Sequence, residues 1–292
     1  MNVPNFDVFS SPSCACLAAQ CMRTAGCTGL AVVMSENWNL ARQPARPLGG
    51  GSNGANRLSI VPRQNGDRQV CPAAERSPLF SGILPGDYSG ISATARVKVF
   101  QRGEMLYLEG DSVKQILLLT AGFVKITQLG NSGAEVIIRL CGPGDVLGAV
   151  GLFSTVPHRT TAQAFRECRA LVWEAPAFQA MVERYPVLHQ NMVRILNEDL
   201  LELEVRFREV ATERVGPRVA RQLVRLLEQI GRPAGNGEME VCLSREDLAQ
   251  MTGTTLFTVS RLLSAWEARG MVRPRREAVA ICDVQSLREV SE

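Results

Sequence analysis

The chain has 292 residues, 46 % of them apolar and 21 % charged, with net charge +3, which is the balance of a globular protein of about two domains. No apolar run approaches the roughly eighteen residues that span a bilayer, and no basic segment leading into an apolar stretch opens the chain. Membrane and secreted readings are disfavoured and a cytoplasmic location is expected. Nine scattered cysteines, an odd number, suit free thiols better than a disulfide framework. His158 and His189 form no HxH or HExxH pair and no GxSxG elbow occurs, so zinc hydrolases and nucleophile-and-base enzymes lack their parts. No enzyme is expected. All but three of the 32 basic residues are arginine, a bias that a GC-rich genome explains as readily as phosphate recognition.

Residues 1–76 crowd glycine, proline, serine and asparagine around Pro44 to Asn56 and carry Cys14, Cys16, Cys21, Cys27 and Cys71. Such a segment buries too little apolar surface to offset its ordering entropy, so disorder is expected. Internal methionines at Met22 and Met34 leave open whether it is a functional extension or an over-extended gene start. Residues 77–180 read differently. Short apolar or alternating runs (VKVF, EMLYLEGD, QILLLTAGFVKITQL, EVIIRLCGPGD, TAQAFRECRALVWEA) are punctuated by glycine, the pattern of an all-β sandwich or roll.

Pro176 and Pro186 bracket the entry to a long helix, assigned to residues 181–214. There Val193, Leu196, Leu200, Leu203, Phe207 and Val210 repeat at three- and four-residue intervals with charges between them, a heptad seam that predicts pairing with a second copy. Residues 215–292 begin with another amphipathic helix, opened by Pro217 and ending near Gly231. Ser244 then stands as N-cap before REDLAQM, with Asp247 three residues on to close a capping box, and this helix ends at Gly253. Thr254 or Thr255 caps a second helix through Val259, Leu262, Leu263 and Trp266, and a hairpin pattern, MVRPRR into EAVAICD, follows. Two short helices around a glycine-bearing turn are the helix-turn-helix layout, whose second helix enters the major groove of DNA.

Residues 78–292 resemble the Crp/Fnr superfamily of bacterial transcription regulators. The resemblance rests on PLFSGI at Pro78 to Ile83, GEMLYLEGD at Gly103 to Asp111, GDVLGAVGLF at Gly144 to Phe153, HRTTAQA at His158 to Ala164, and the LSREDLA and TVSRLL helices. It implies an α+β fold: a cyclic-nucleotide-binding-type β-roll (a double-stranded β-helix), a long dimerisation helix and a winged helix-turn-helix. It also implies a homodimer that binds double-stranded DNA, responds to a small effector and works with RNA polymerase. Arg261 matches the family's base-reading arginine, a fork able to pair with guanine O6 and N7. Arg245, Thr255 and Thr258 would meet phosphates, with Ser260 near the bases. Where the two best-known branches carry a glutamate, this chain has Phe257, which can pack on a thymine methyl but cannot accept from cytosine. Arg273, Arg275 and Arg276 are candidate backbone contacts of the wing.

For the effector, Gly148, Arg159 and Thr160 occupy the positions that hold a phosphate in the cyclic-nucleotide branch. The ribose-binding glutamate is replaced by Ala149, and the purine-contacting hydroxyls fall near Leu203 and Glu204. Cyclic AMP is therefore disfavoured. An iron-sulfur cluster on Cys14, Cys16, Cys21 and Cys27 is disfavoured too, because Trp173 stands where the family's roll cysteine would. So is haem on His158 or His189. A cyclic-nucleotide-binding regulatory protein without DNA binding is the alternative function, opposed by the C-terminal helix pair.

Overall fold

The computed structural model describes residues 75–152, 156–234 and 237–292. The expected disorder of residues 1–76 falls almost wholly outside them, and Cys14, Cys16, Cys21, Cys27 and Cys71 fall outside entirely. A 3-10 turn, Pro78–Phe80, opens the described chain, and Ser77 caps it while donating from Oγ to Gly144 O at 2.6 Å. There follow α1 (Pro85–Ala93), β1 (Arg96–Phe100), β2 (Met105–Tyr107), β3 (Gln115–Ala121), β4 (Val124–Leu129), β5 (Glu135–Cys141), β6 (Val146–Leu147), β7 (Thr161–Ala164) and β8 (Cys168–Glu174). A second 3-10 turn, Ala149–Gly151, lies between β6 and β7.

The eight strands make two antiparallel four-stranded sheets, β1-β8-β3-β6 and β2-β7-β4-β5. Strand β3 explains why the run QILLLTA is apolar throughout rather than alternating. Leu117 and Leu119 face the opposite sheet, among Phe100, Val124, Ile126 and Val172, whereas Ile116 and Leu118 face helical cover with Trp173 and Phe178. Each fully buried aliphatic side chain of this kind contributes about 1.5–3 kcal/mol. At Gly122, φ is +78° and an added Cβ would sit 2.2 Å from Glu167 O, so the β3–β4 turn admits only glycine.

Segment 181–214 is not one helix, which corrects the boundary drawn from sequence. Residues 181–184 finish α2 (Ala175–Arg184), Tyr185 leaves helical geometry (φ −123°, ψ 83°), and α3 (Pro186–Thr212) starts afresh on a proline at its first position. Helix α3 has 27 residues, about 40 Å at 1.5 Å per residue. Leu188 and Met192 anchor its first turns in the roll's helical cover. The later seam residues Val193, Leu200, Leu203, Phe207 and Val210 remain exposed, Phe207 at 74 %.

The remaining chain forms α4 (Val215–Ile230), β9 (Arg232–Pro233), β10 (Met239–Val241), α5 (Arg245–Thr252), α6 (Leu256–Ala268), β11 (Val272–Pro274), β12 (Val279–Ile281) and α7 (Val284–Ser291). Its third antiparallel sheet runs β11-β12-β10-β9. Val219, Leu223, Leu226 and Ile230 turn one face of α4 onto Leu248, Val259, Leu263 and Trp266. The expected α+β architecture of roll, long helix and winged helix-turn-helix is the one observed.

Candidate nucleic-acid interface

The helix-turn-helix is built by local chemistry. Ser244 Oγ accepts from Asp247 N at 2.9 Å, and Asp247 Oδ2 accepts from Ser244 N at 3.1 Å, which closes the capping box of α5. Gly253 ends α5 at φ +58°, a left-handed position held by glycine at low cost. Thr255, rather than Thr254, caps α6, accepting at Oγ1 from Thr258 N at 3.2 Å. No acidic residue occupies the first turn of α6, so its positive end is uncompensated.

Val259, Leu263 and Trp266 bury the inner face of α6. Thr255, Phe257 and Arg261 are exposed on the helix, Phe257 at 70 %, while Thr258 and Ser260 are half-buried. The Arg261 guanidinium carbon lies 5.8 Å from the centre of the Phe257 ring, one helical turn away. The ring therefore braces the arginine outward and restricts its rotamers. Arg245 is half-buried at the start of α5. In the wing, Arg273 and Arg275 are engaged by Glu238 at 2.8 Å and Glu240 at 3.1 Å, leaving Arg276 exposed at the tip between β11 and β12.

A second site lies between the roll and α3. A cavity of about 430 Å³ is bounded by β4, β5 and β6 on one side and by α3 on the other. Gly148, at φ +85°, and Thr160 line it; exposed Arg159 does not, and its carbonyl accepts from Gln128 Nε2. Two of the three residues assigned together from sequence therefore share this space. Two arginines on the wall, Arg139 and Arg206, pair with Asp199 and Glu202 of α3, the latter at 2.6 Å. Tyr107 lines the cavity and stacks on His158 at 3.8 Å between ring centres. Burial pushes the Tyr107 phenol up to about 12 and lowers the His158 imidazole, so both rings are neutral near pH 7.

Residues 97–185 match the family model of the cyclic nucleotide-binding domain, and residues 217–290 match that of the Crp-like helix-turn-helix domain. The chain belongs to the Crp/Fnr family of transcription regulators. It is 26 % identical over 214 residues to the CRP-like cAMP-activated global transcriptional regulator of Mycobacterium tuberculosis, covering 73 % of this chain and 95 % of that one. Identity is also 26 % over 215 residues to the cyclic AMP receptor protein of Thermus thermophilus, covering 74 % and 97 % respectively. The solved structure of a second CRP-family transcriptional regulator from Thermus thermophilus superposes with a TM-score of 0.60 at 25 % identity, over 66 % of this chain and 96 % of that one.

The positions that the sequence singled out can be placed against the cavity of this Crp/Fnr fold. Ala149 and Leu203 line it as apolar groups, and Glu204 is exposed outside its wall. Cys141 and Cys168 are buried, and burial pushes both thiols up to about 11, which keeps them protonated. Among the described residues no cluster of histidine, cysteine or carboxylate side chains could hold a metal ion, and no helix is long and apolar enough to cross a membrane. One residue escaped sequence reasoning altogether. Arg218 of α4 is buried and donates to Thr252 O at 2.7 Å, Gly253 O at 3.4 Å, Val210 O at 3.3 Å and Glu213 O at 3.2 Å, joining the helix-turn-helix turn to the end of α3. An arginine in an amphipathic helix reads as part of its solvated face, so no local signal marks it.

Proposed function

We propose that two copies of this Crp/Fnr regulator pair along α3 and together read a near-palindromic DNA site, under control of a small effector held in the roll. The observation that carries this reading is the exposed apolar row on α3. A row from Val193 to Val210 with Phe207 at 74 % exposure is a costly surface for a monomer and a natural seam for a twin helix. Two parallel α3 helices would set the two α6 helices about 34 Å apart, one helical turn of DNA.

In that arrangement Arg261 faces base edges, Phe257 braces it and contacts thymine methyls, Ser260 lies near the bases, and Arg245, Thr255 and Thr258 position the backbone. Because α3 forms one wall of the cavity and Arg218 ties its far end to the helix-turn-helix turn, an occupant of the cavity can bias the pose of α6. RNA polymerase is the further partner such a regulator requires, and DNA as ligand places the protein in the cytoplasm. Light scattering on purified protein and on its DNA complex tests the reading. Two chains per particle in both states are expected, with Phe207→Asp giving single chains and weak binding; a wild-type monomer that binds DNA one to one would contradict it.

A further inference from the structure

We infer that the cavity between the roll and α3 binds an uncharged, mainly apolar small molecule. The inference rests on the effector-controlled reading above and names the chemistry of the effector. A volume of about 430 Å³ falls in the range of small-molecule sites. Its wall is mostly hydrocarbon, with Ile126, Ile138 and Leu147 from the roll facing Ile195, Leu196 and Leu203 of α3.

The charges on the wall cancel. Arg139 and Asp199 form one pair and Arg206 and Glu202 another, so an entering phosphate would have to displace a carboxylate to win a cation. Arg159, the cation that sequence assigned to a phosphate, is exposed and does not line the wall. The Tyr107 hydroxyl, hydrogen-bonded to Thr160, stays protonated and adds no charge. Neither arginine on the wall is left unpaired for an anion.

The protein itself holds the Arg206 head group. Arg206 donates from Nη1 to Ile138 O at 2.8 Å and from Nη2 to Glu202 Oε1 at 2.6 Å. An uncharged ring or chain fills the hydrocarbon wall without breaking either ion pair. Bound there, the ligand would bridge β5 and α3 and fix their relative placement.

Prodan, an uncharged naphthalene ketone whose emission reports both polarity and hydrogen bonding, is a suitable probe. Full-length protein titrated with Prodan should show saturable blue-shifted emission at one site per chain, undisturbed by cyclic AMP. Ile138→Trp, which fills the cavity, and Val150→Trp, at an exposed position on its rim, should each weaken binding by about tenfold or more. No saturable binding, binding that survives both tryptophan variants, or displacement by cyclic AMP would overturn the inference. DNA binding measured on the same samples keeps the two ideas apart: a chain that binds DNA but not Prodan loses only the ligand assignment.

Discussion

Lys125 Nζ of the roll lies 3.6 Å from Asp247 Oδ1, on the same carboxylate that closes the capping box of the first helix of the helix-turn-helix. One side chain therefore serves both the start of α5 and the junction between the two halves of the molecule. Other contacts lie along the same junction. Gln250 Nε2 donates to Glu135 Oε2 at 3.1 Å, Arg166 Nη2 to Cys242 O at 3.3 Å, and Gln229 Nε2 to Leu140 O at 2.7 Å, while Leu140 itself is buried in the core of the winged domain. Movement of β4 and β5 reaches α5 directly.

The two roles of Asp247 separate by mutation. Asp247→Ala removes the cap carboxylate and the ion pair together and should cost about 1–2 kcal/mol. Lys125→Met removes only the pair, which is small and partly hydrated, and should cost at most about 1 kcal/mol. Urea unfolding of both variants checks this; equal losses would show that the pair, not the cap, dominates.

Glu209 is 5 % exposed and paired with Arg225 at 2.5 Å and Arg221 at 3.4 Å. Burial alone would raise its carboxyl, but hydrogen bonding and charge from Arg225, then Arg221, outweigh it and hold the group below the usual carboxylate range. A depressed folded value means stabilisation that is present above the unfolded value, about 4.3, and is lost as pH falls through the folded one. Glu209→Gln should cost about 2 kcal/mol near neutral pH, less than a fully buried pair because both arginines can rehydrate. The cost should shrink as pH drops below about 4. Denaturation midpoints across that window read it directly; a cost that grows on acidification would refute the sign.

At the DNA face, Arg261→Ala should lose about 1–3 kcal/mol of discrimination and relax one position of each half-site. Phe257→Ala removes the brace but not the fork, and should cost about 0.5–1 kcal/mol. Phe257→Glu should change which base is preferred rather than abolish binding. Quantitative gel shifts on a set of single-base variants separate the three outcomes.

What was legible in the chain was local. The Ser244 and Asp247 box, the glycine at 253 and the threonine cap at 255 are written within a few residues of the helices they delimit, and so is the α3 seam. The strands of the roll announce themselves because only glycine tolerates turns such as Gly122. The break at Tyr185 was missed because helical periodicity continues on both sides of it. Contacts across distant segments left no trace either: Lys125 with Asp247, and Arg218 on the turn carbonyls. The cavity's apolar character was half legible, through Ala149 and Leu203, and half not, because the Arg139 and Arg206 pairs form only when β5 meets α3.

The central claim is that α6, presented by a paired molecule, reads duplex DNA. Selection from a random duplex library, followed by titration of the winning sequence against salt, tests it most directly. The expected winner is an inverted repeat with half-site centres about 10 base pairs apart. Its affinity should fall steeply and linearly on a log–log salt plot. Arg261→Ala should relax the preference at one position of each half-site while keeping most of the salt slope. A library that returns no enriched sequence, or an enriched site bound equally well by Arg261→Ala, would contradict it.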